Sequence, residues 1–239
     1  MAKYKVADII FEVNFTYKYA PWVCRNYIYN GDEEPSFSIS ISSKDIEAER
    51  KLAKESENLD FYLESIAVLR KFCEYVQNNA QGMFFHSSAV AVDGKAYLFT
   101  APSGTGKSTH TRLWRELLGD KVVMINDDKP IIRLIDGVFY VYGTPWNGKH
   151  SLDSDVCVPL KAICEIKQAK ENSIKKMLPS EMLFTVLNQT LRPDNKESMK
   201  KYLALVDELL KKVELWQLSC NISKEAAQLS YTTMSGKEI

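Results

Sequence analysis

The segment FHSSAVAVDGKAYLFTAPSGTGKSTHTRLW, residues 85 to 114, limits the fold of this chain more than any other, because it reads in one run as strand, turn, strand, glycine-rich loop and helix. At its centre Ala101 to Ser108, APSGTGKS, meets the phosphate-loop pattern GxxxxGK(S/T) at every fixed position except the first, where alanine stands for glycine. Gly104 and Gly106 let the backbone turn tightly, so that the N–H groups of Ser103, Gly104, Thr105 and Gly106 converge on phosphate oxygens. Lys107 brings a cation to the β and γ phosphates and Ser108 offers a hydroxyl to Mg²⁺. The helix starting there, through Thr109, adds its positive dipole end. Residues 103 to 109 are the expected nucleotide-binding set. A plain glycine-rich turn capping a helix is the competing reading, and the strand before and helix after count against it.

Phosphoryl chemistry also needs a metal carboxylate and a way to activate the acceptor. KVVMI, Lys121 to Ile125, reads as a short apolar strand ending at Asn126, Asp127 and Asp128. A carboxylate at the end of a strand beside the loop strand is where an NTPase holds Mg²⁺, and a second can accept the proton of an acceptor hydroxyl. Asn-Asp-Asp before Lys129-Pro130 is good turn chemistry as well. Neighbouring strand residues point to opposite faces, so both acids serve one site only if the strand has ended at Asn126. His86 interrupts the otherwise apolar strand Met83 to Val92 and precedes the loop by one hairpin, which makes it a further candidate; His110 and His150 lack such a context. GTPWNGKH, Gly143 to His150, is expected to line the acceptor or γ-phosphate side, with Trp146 as a stacking plane and Lys149 as a charge. The alternative is an exposed turn with Trp146 tucked into the core.

Around these features the chain reads as α/β with a mixed sheet. Asp93-Gly94 and Asp136-Gly137 mark two hairpins, which a simple doubly wound parallel sheet would not contain. Ser36 to Ser42, SFSISIS, alternates as a half-buried strand, and residues 1–58 form an N-terminal β-rich appendage to a core of residues 59–239. A helix is expected over Asp60 to Gln77. Another is capped by Asp194, with Met199, Tyr202, Leu203, Val206 and Leu210 as its buried stripe. Lys+Arg and Asp+Glu are both 31, so neither nucleic acid nor a membrane surface is an expected partner. Five scattered cysteines without CxxC spacing, and an N-terminus without a signal-peptide pattern, lead to the expectation of a cytoplasmic protein.

FHSSAVAVDGKAYLFTAPSGTGKST followed by MINDD resembles the PEP carboxykinase and HPr kinase superfamily, and most of all its small HPr-serine-kinase-like branch. The resemblance covers residues 83 to 146, fades towards residue 239 and leaves out the N-terminal appendage. It implies a PEP-carboxykinase-like P-loop core, with Lys107 and Ser108 on phosphate and Mg²⁺. Asp127 and Asp128 share base and metal duties, Asp127, at the family's first aspartate, as base and Asp128 as the Mg²⁺ partner. His86 orients that pair or ligates a second metal; Lys149 joins the expected catalytic set from its charge in the Gly143 to His150 loop, not from the resemblance. HPr kinase/phosphorylase carries an acidic residue and Arg-Gly-Leu-Gly where Trp146, Asn147, Gly148 and Lys149 stand, and a later arginine where Lys175 and Lys176 stand, so the phosphorylase half-reaction is not implied. What is implied is an ATP- and Mg²⁺-dependent kinase acting on a Ser/Thr hydroxyl of a peptide or protein. The alternatives are a kinase of a small-molecule alcohol and a nucleotide-gated binding or regulatory module with little turnover.

Overall fold

Phe11, fully buried, is the centre of an N-terminal unit, Met1–Val76; a second unit spans Gln77–Ile239. The computed structural model describes residues 2–149 and 151–239, apart from the side chain of Ser56. Strands β1 (Ala2–Val6) and β2 (Ile9–Val13) pair antiparallel across a two-residue turn in which Ala7 and Asp8 take φ of 50° and 61°. That paired left-handed geometry matches the twist of the strands it joins. Helix α1 (Tyr19–Val23) follows, then β3 (Phe37–Ile39), parallel to β2, α2 (Ser43–Arg50) and α3 (Asp60–Asn79).

The first 58 residues thus mix three short strands with helices rather than being β-rich. The Phe11 ring lies 5.8 Å from that of Phe37 and 4.8 Å from that of Phe72 on α3. Because α3 supplies this core, the units divide at Val76/Gln77 rather than at residue 58. The alternating run SFSISIS keeps only three strand residues, because Ser42 leaves it to cap α2: Ser42 Oγ accepts from Asp45 N at 3.3 Å and Asp45 Oδ2 accepts from Ser42 N at 2.7 Å.

In the second unit the order is β4 (Gly82–Phe84), β5 (Ser87–Val92), β6 (Lys95–Thr100), α4 (Lys107–Leu118), β7 (Val122–Asn126), β8 (Ile131–Ile135), β9 (Val138–Tyr142) and β10 (Cys157–Gln168). Then come β11 (Ser173–Lys176), α5 (Pro179–Asn188), α6 (Lys196–Lys212), β12 (Glu214–Cys220) and α7 (Lys224–Ser235). One mixed sheet runs β4-β8-β9-β10-β6-β5-β7, with β12 also on β10 and β11 on β12. Both hairpins form, with φ of 51° and 69° at Asp93-Gly94 and 48° and 80° at Asp136-Gly137. The parallel pairs are β10 with β6 and β10 with β12. Strand β10 gives its first residues to β9 and the rest to β6, with a register shift between Leu160 and Ala162, and there the sheet curls.

Period-two alternation builds a core on each face. Ala89, Ala91, Ala96 and Leu98 pack with Met182 and Val186 of α5 and Tyr202, Val206 and Leu209 of α6. Val90, Val92, Tyr97 and Phe99 pack with Leu113 and Trp114 of α4 and Ala226 and Tyr231 of α7. Trp114 is fully buried, and its Nε1–H donates to Ser230 Oγ at 2.8 Å, tying α4 to α7. On α6 the buried stripe is Tyr202, Leu205, Val206, Leu209 and Leu210, while the expected Leu203 is exposed. The cap is Asn195 rather than Asp194, its Oδ1 accepting from Ser198 N at 2.9 Å. Among the described residues no helix is long and apolar enough to cross a membrane.

Candidate functional site

Between β6 and α4 the chain turns through Gly104 and Gly106 at φ of 81° and 117°. A Cβ at either would meet nothing within 4 Å, so glycine is required there for its backbone conformation and the space above the loop is open. Ala101, at the position where the motif has glycine, is fully buried in the α4 core, where a methyl group finds apolar neighbours. Lys107 is buried and folds back, donating to Ala101 O at 2.9 Å and Pro102 O at 3.4 Å. Burial lowers its pKa most, while the Asp128 carboxylate acts the other way.

Strand β7 ends at Asn126, as the use of both acids requires. Asn126 Oδ1 accepts from Asp128 N at 2.8 Å and Lys129 N at 2.6 Å, and its Nδ2 donates to Thr144 O at 2.9 Å. This side-chain turn fixes the backbone that carries the two carboxylates. Asp127, 7% exposed, accepts at Oδ1 from Ser88 Oγ at 2.5 Å. With the Ser88 proton committed to the carboxylate, Thr111 Oγ1 is the donor in its 2.7 Å contact with Ser88. Asp127 is thereby tied to α4, the helix that begins at Lys107 and Ser108. Asp128 Oδ1 lies 3.0 Å from Lys129 Nζ and 3.3 Å from His86 Nε2.

His86 sits in a break between β4 and β5, so the expected single strand Met83 to Val92 is two. Its N–H donates to Gln189 O at 2.7 Å, and its carbonyl accepts from Thr100 Oγ1 at 3.0 Å, while the strand changes partner from β8 to β6 and β7. The Gln189 side chain lies beside it and acts to raise its pKa slightly. Burial first, then the Lys129 and Lys107 ammonium groups, push the His86 pKa down to about 4, against a smaller pull from Asp128. Near neutral pH the imidazole is uncharged, and its approach to Asp128 is not an ion pair.

Between pH 6.5 and about 4 the unfolded chain takes up a proton at this histidine that the folded chain refuses, so the stability is present above 6.5 and lost on acidification. His110, pushed down to about 4 by burial, acts in the same direction. The melting temperature is expected to fall across that window, and His86→Gln to remove part of the slope. An unchanged slope in thermal melts would contradict the assignment.

The segment from Gly143 crosses the acidic turn. A Cβ on Gly143 would lie 1.9 Å from Ser154 O and 2.9 Å from Ile125 O, both backbone. Gly143→Ala is expected to cost about 1–3 kcal/mol through forced backbone shifts, read as a lowered melting temperature. Gly148, at φ 72°, would place a Cβ 3.1 Å from Asp128 Cβ. Trp146 is not a stacking plane: it is 6% exposed, with its ring edge-on to Phe84 at 5.6 Å. Lys149 is exposed beyond Gly148, and His150 lies outside the described residues.

The structure therefore brings Lys107, Asp127, Asp128 and His86 to one end of the strands, with Lys129 added. Ser88, Thr111, Thr144 and Gln189 were not singled out by the sequence. Ser88 stands two residues after His86 and Thr111 four after Lys107, spacings that repeat on one strand or helix face and could have flagged them. No group of three or more His, Cys, Asp or Glu side chains among the described residues could hold a metal. The Ser108 hydroxyl and Asp128 carboxylate are hard oxygen donors suited to Mg²⁺, an ion that completes its shell with water and nucleotide oxygens.

No family model and no curated protein matches this sequence. Among solved structures the chain is similar to the HPr(Ser) kinase/phosphatase from Coxiella burnetii, at 8% identity and a TM-score of 0.35, over 64% of this chain and 97% of that one. So distant a likeness assigns no function, and the functional reading rests on the residues themselves.

Proposed function

We propose that this chain is a cytoplasmic, ATP- and Mg²⁺-dependent kinase that transfers the γ-phosphoryl group to a serine or threonine hydroxyl of a peptide or protein. The observation that carries the reading is the bonded path from Asp127 through Ser88 to Thr111 on α4. It couples a buried carboxylate to the helix whose first residues, Lys107 and Ser108, follow the open glycine-rich loop.

Phosphoryl transfer depends mainly on positioning and electrostatics. The N–H groups of residues 103 to 106 and the helix end hold the phosphates, and Lys107 leaves its carbonyl contacts for the β and γ oxygens. Mg²⁺, held by Ser108 and Asp128, would neutralise charge on those oxygens. Ser88 occupies Asp127 Oδ1, which leaves Oδ2 to accept the proton as the acceptor oxygen bonds to the γ-phosphorus and the bond to ADP breaks. Neutral His86 and the Lys129 ammonium both contact Asp128 Oδ1 and hold it in place, and Lys149 lies on the acceptor side. ADP release in MgATP is expected to rise with a randomised serine-containing peptide pool and not with the same pool carrying alanine. Release indifferent to both would overturn the kinase reading.

A further inference from the structure

We propose that the cleft between α4 and the ends of β10 and β12 is a nucleoside site, taking the base and sugar of the nucleotide whose phosphates the glycine-rich loop holds. The inference rests on the kinase reading above and adds where, and against which residues, the neutral half of the ligand lies.

The cleft measures about 400 Å³ and begins at Thr105 and Gly106 of the loop itself. That volume falls in the range of small-molecule sites, about 300–1,000 Å³. Thr109, His110 and Leu113 of α4 form one wall, and Ile166, Gln168 and Ile222 stand on the other. None of the lining residues is Lys, Arg, Asp or Glu. A phosphate would find no cation there, whereas a flat, uncharged heteroaromatic ring loses little by leaving water for such walls.

The helix separates two kinds of chemistry. Lys107 and Thr111, four residues apart, face the acidic turn; Thr109 and Leu113, offset by two residues and also four apart, lie on the opposite side. A ligand crossing the head of α4 would present phosphates to one side and a neutral group to the other. His110 is fixed as a wall, with Nε2 2.9 Å from Ser230 Oγ and its ring edge-on to Phe99 at 4.7 Å. Gln168 Nε2 donates to Thr105 O at 3.2 Å, latching the end of β10 to the loop. Ile222, 77% exposed at the rim, is an apolar side chain that a ring in the cleft would cover.

The test is calorimetric binding of two probes, MgADP and magnesium tripolyphosphate, to the full chain. The variants are Ile222→Asp at the rim and Ala169→Trp on the wall. Both are expected to weaken MgADP by about tenfold or more and leave tripolyphosphate within about twofold, since only the nucleoside loses its contacts. Retained tripolyphosphate binding also reports an intact loop. If the variants bind both probes as the parent does, the cleft is not the nucleoside site although the loop is a phosphate site. If the parent binds neither probe, the phosphate-loop reading itself falls, and this inference with it.

Discussion

Lys107→Ala is expected to slow phosphoryl transfer by about 10³-fold and to weaken MgATP binding, because it removes the cation at the head of α4 where negative charge builds up in the transition state. In the free chain this ammonium is buried against Ala101 O and Pro102 O, so it is already desolvated before nucleotide arrives. Burial has lowered its pKa, and a phosphate beside it would act the other way by adding negative charge. The same mutation leaves the φ values of Gly104 and Gly106 untouched, so the backbone N–H cradle persists. Single-turnover transfer beside calorimetry separates the two effects. Full transfer in the variant would remove Lys107 from the site.

Asp127→Asn is expected to retain MgATP binding and to lose about 10²–10⁴-fold in transfer, the usual share of a general base. The substitution keeps the side-chain shape, and an amide oxygen can still accept from Ser88, so the melting temperature should barely move. What disappears is the carboxylate proposed to take the acceptor proton. Asp128→Asn should instead raise the Mg²⁺ concentration needed for half-maximal rate. Loss of binding in the Asp127 variant but not in the Asp128 variant would exchange the two duties.

The parts of this site legible in the sequence were those fixed by local chemistry. Glycines at left-handed positions, a lysine and serine opening a helix, and Asp-Gly turns each act within a few residues, and all are where the sequence implies. Boundaries set by distant partners were not legible. The break at His86 exists because its N–H finds Gln189, about a hundred residues away, instead of a neighbouring strand. Trp146 looks like a loop aromatic until Phe84 covers it. Phe11 drew α3 into the N-terminal unit through Phe72, a contact between rings on separate elements that no run of residues announces. The wall of the cleft joins Thr105 to Gln168 and Ile222, which only the β6–β10–β12 pairing brings together.

The most direct measurement is the fate of a label on the γ-phosphate of ATP, followed into a serine-containing peptide pool by mass spectrometry with the parent chain and with Lys107→Ala. Peptides carrying one added phosphoryl group on serine or threonine with the parent, and none with the variant, is the expected result. Label that remains in ATP or appears only as free phosphate with the parent, whichever peptides are present, would contradict it.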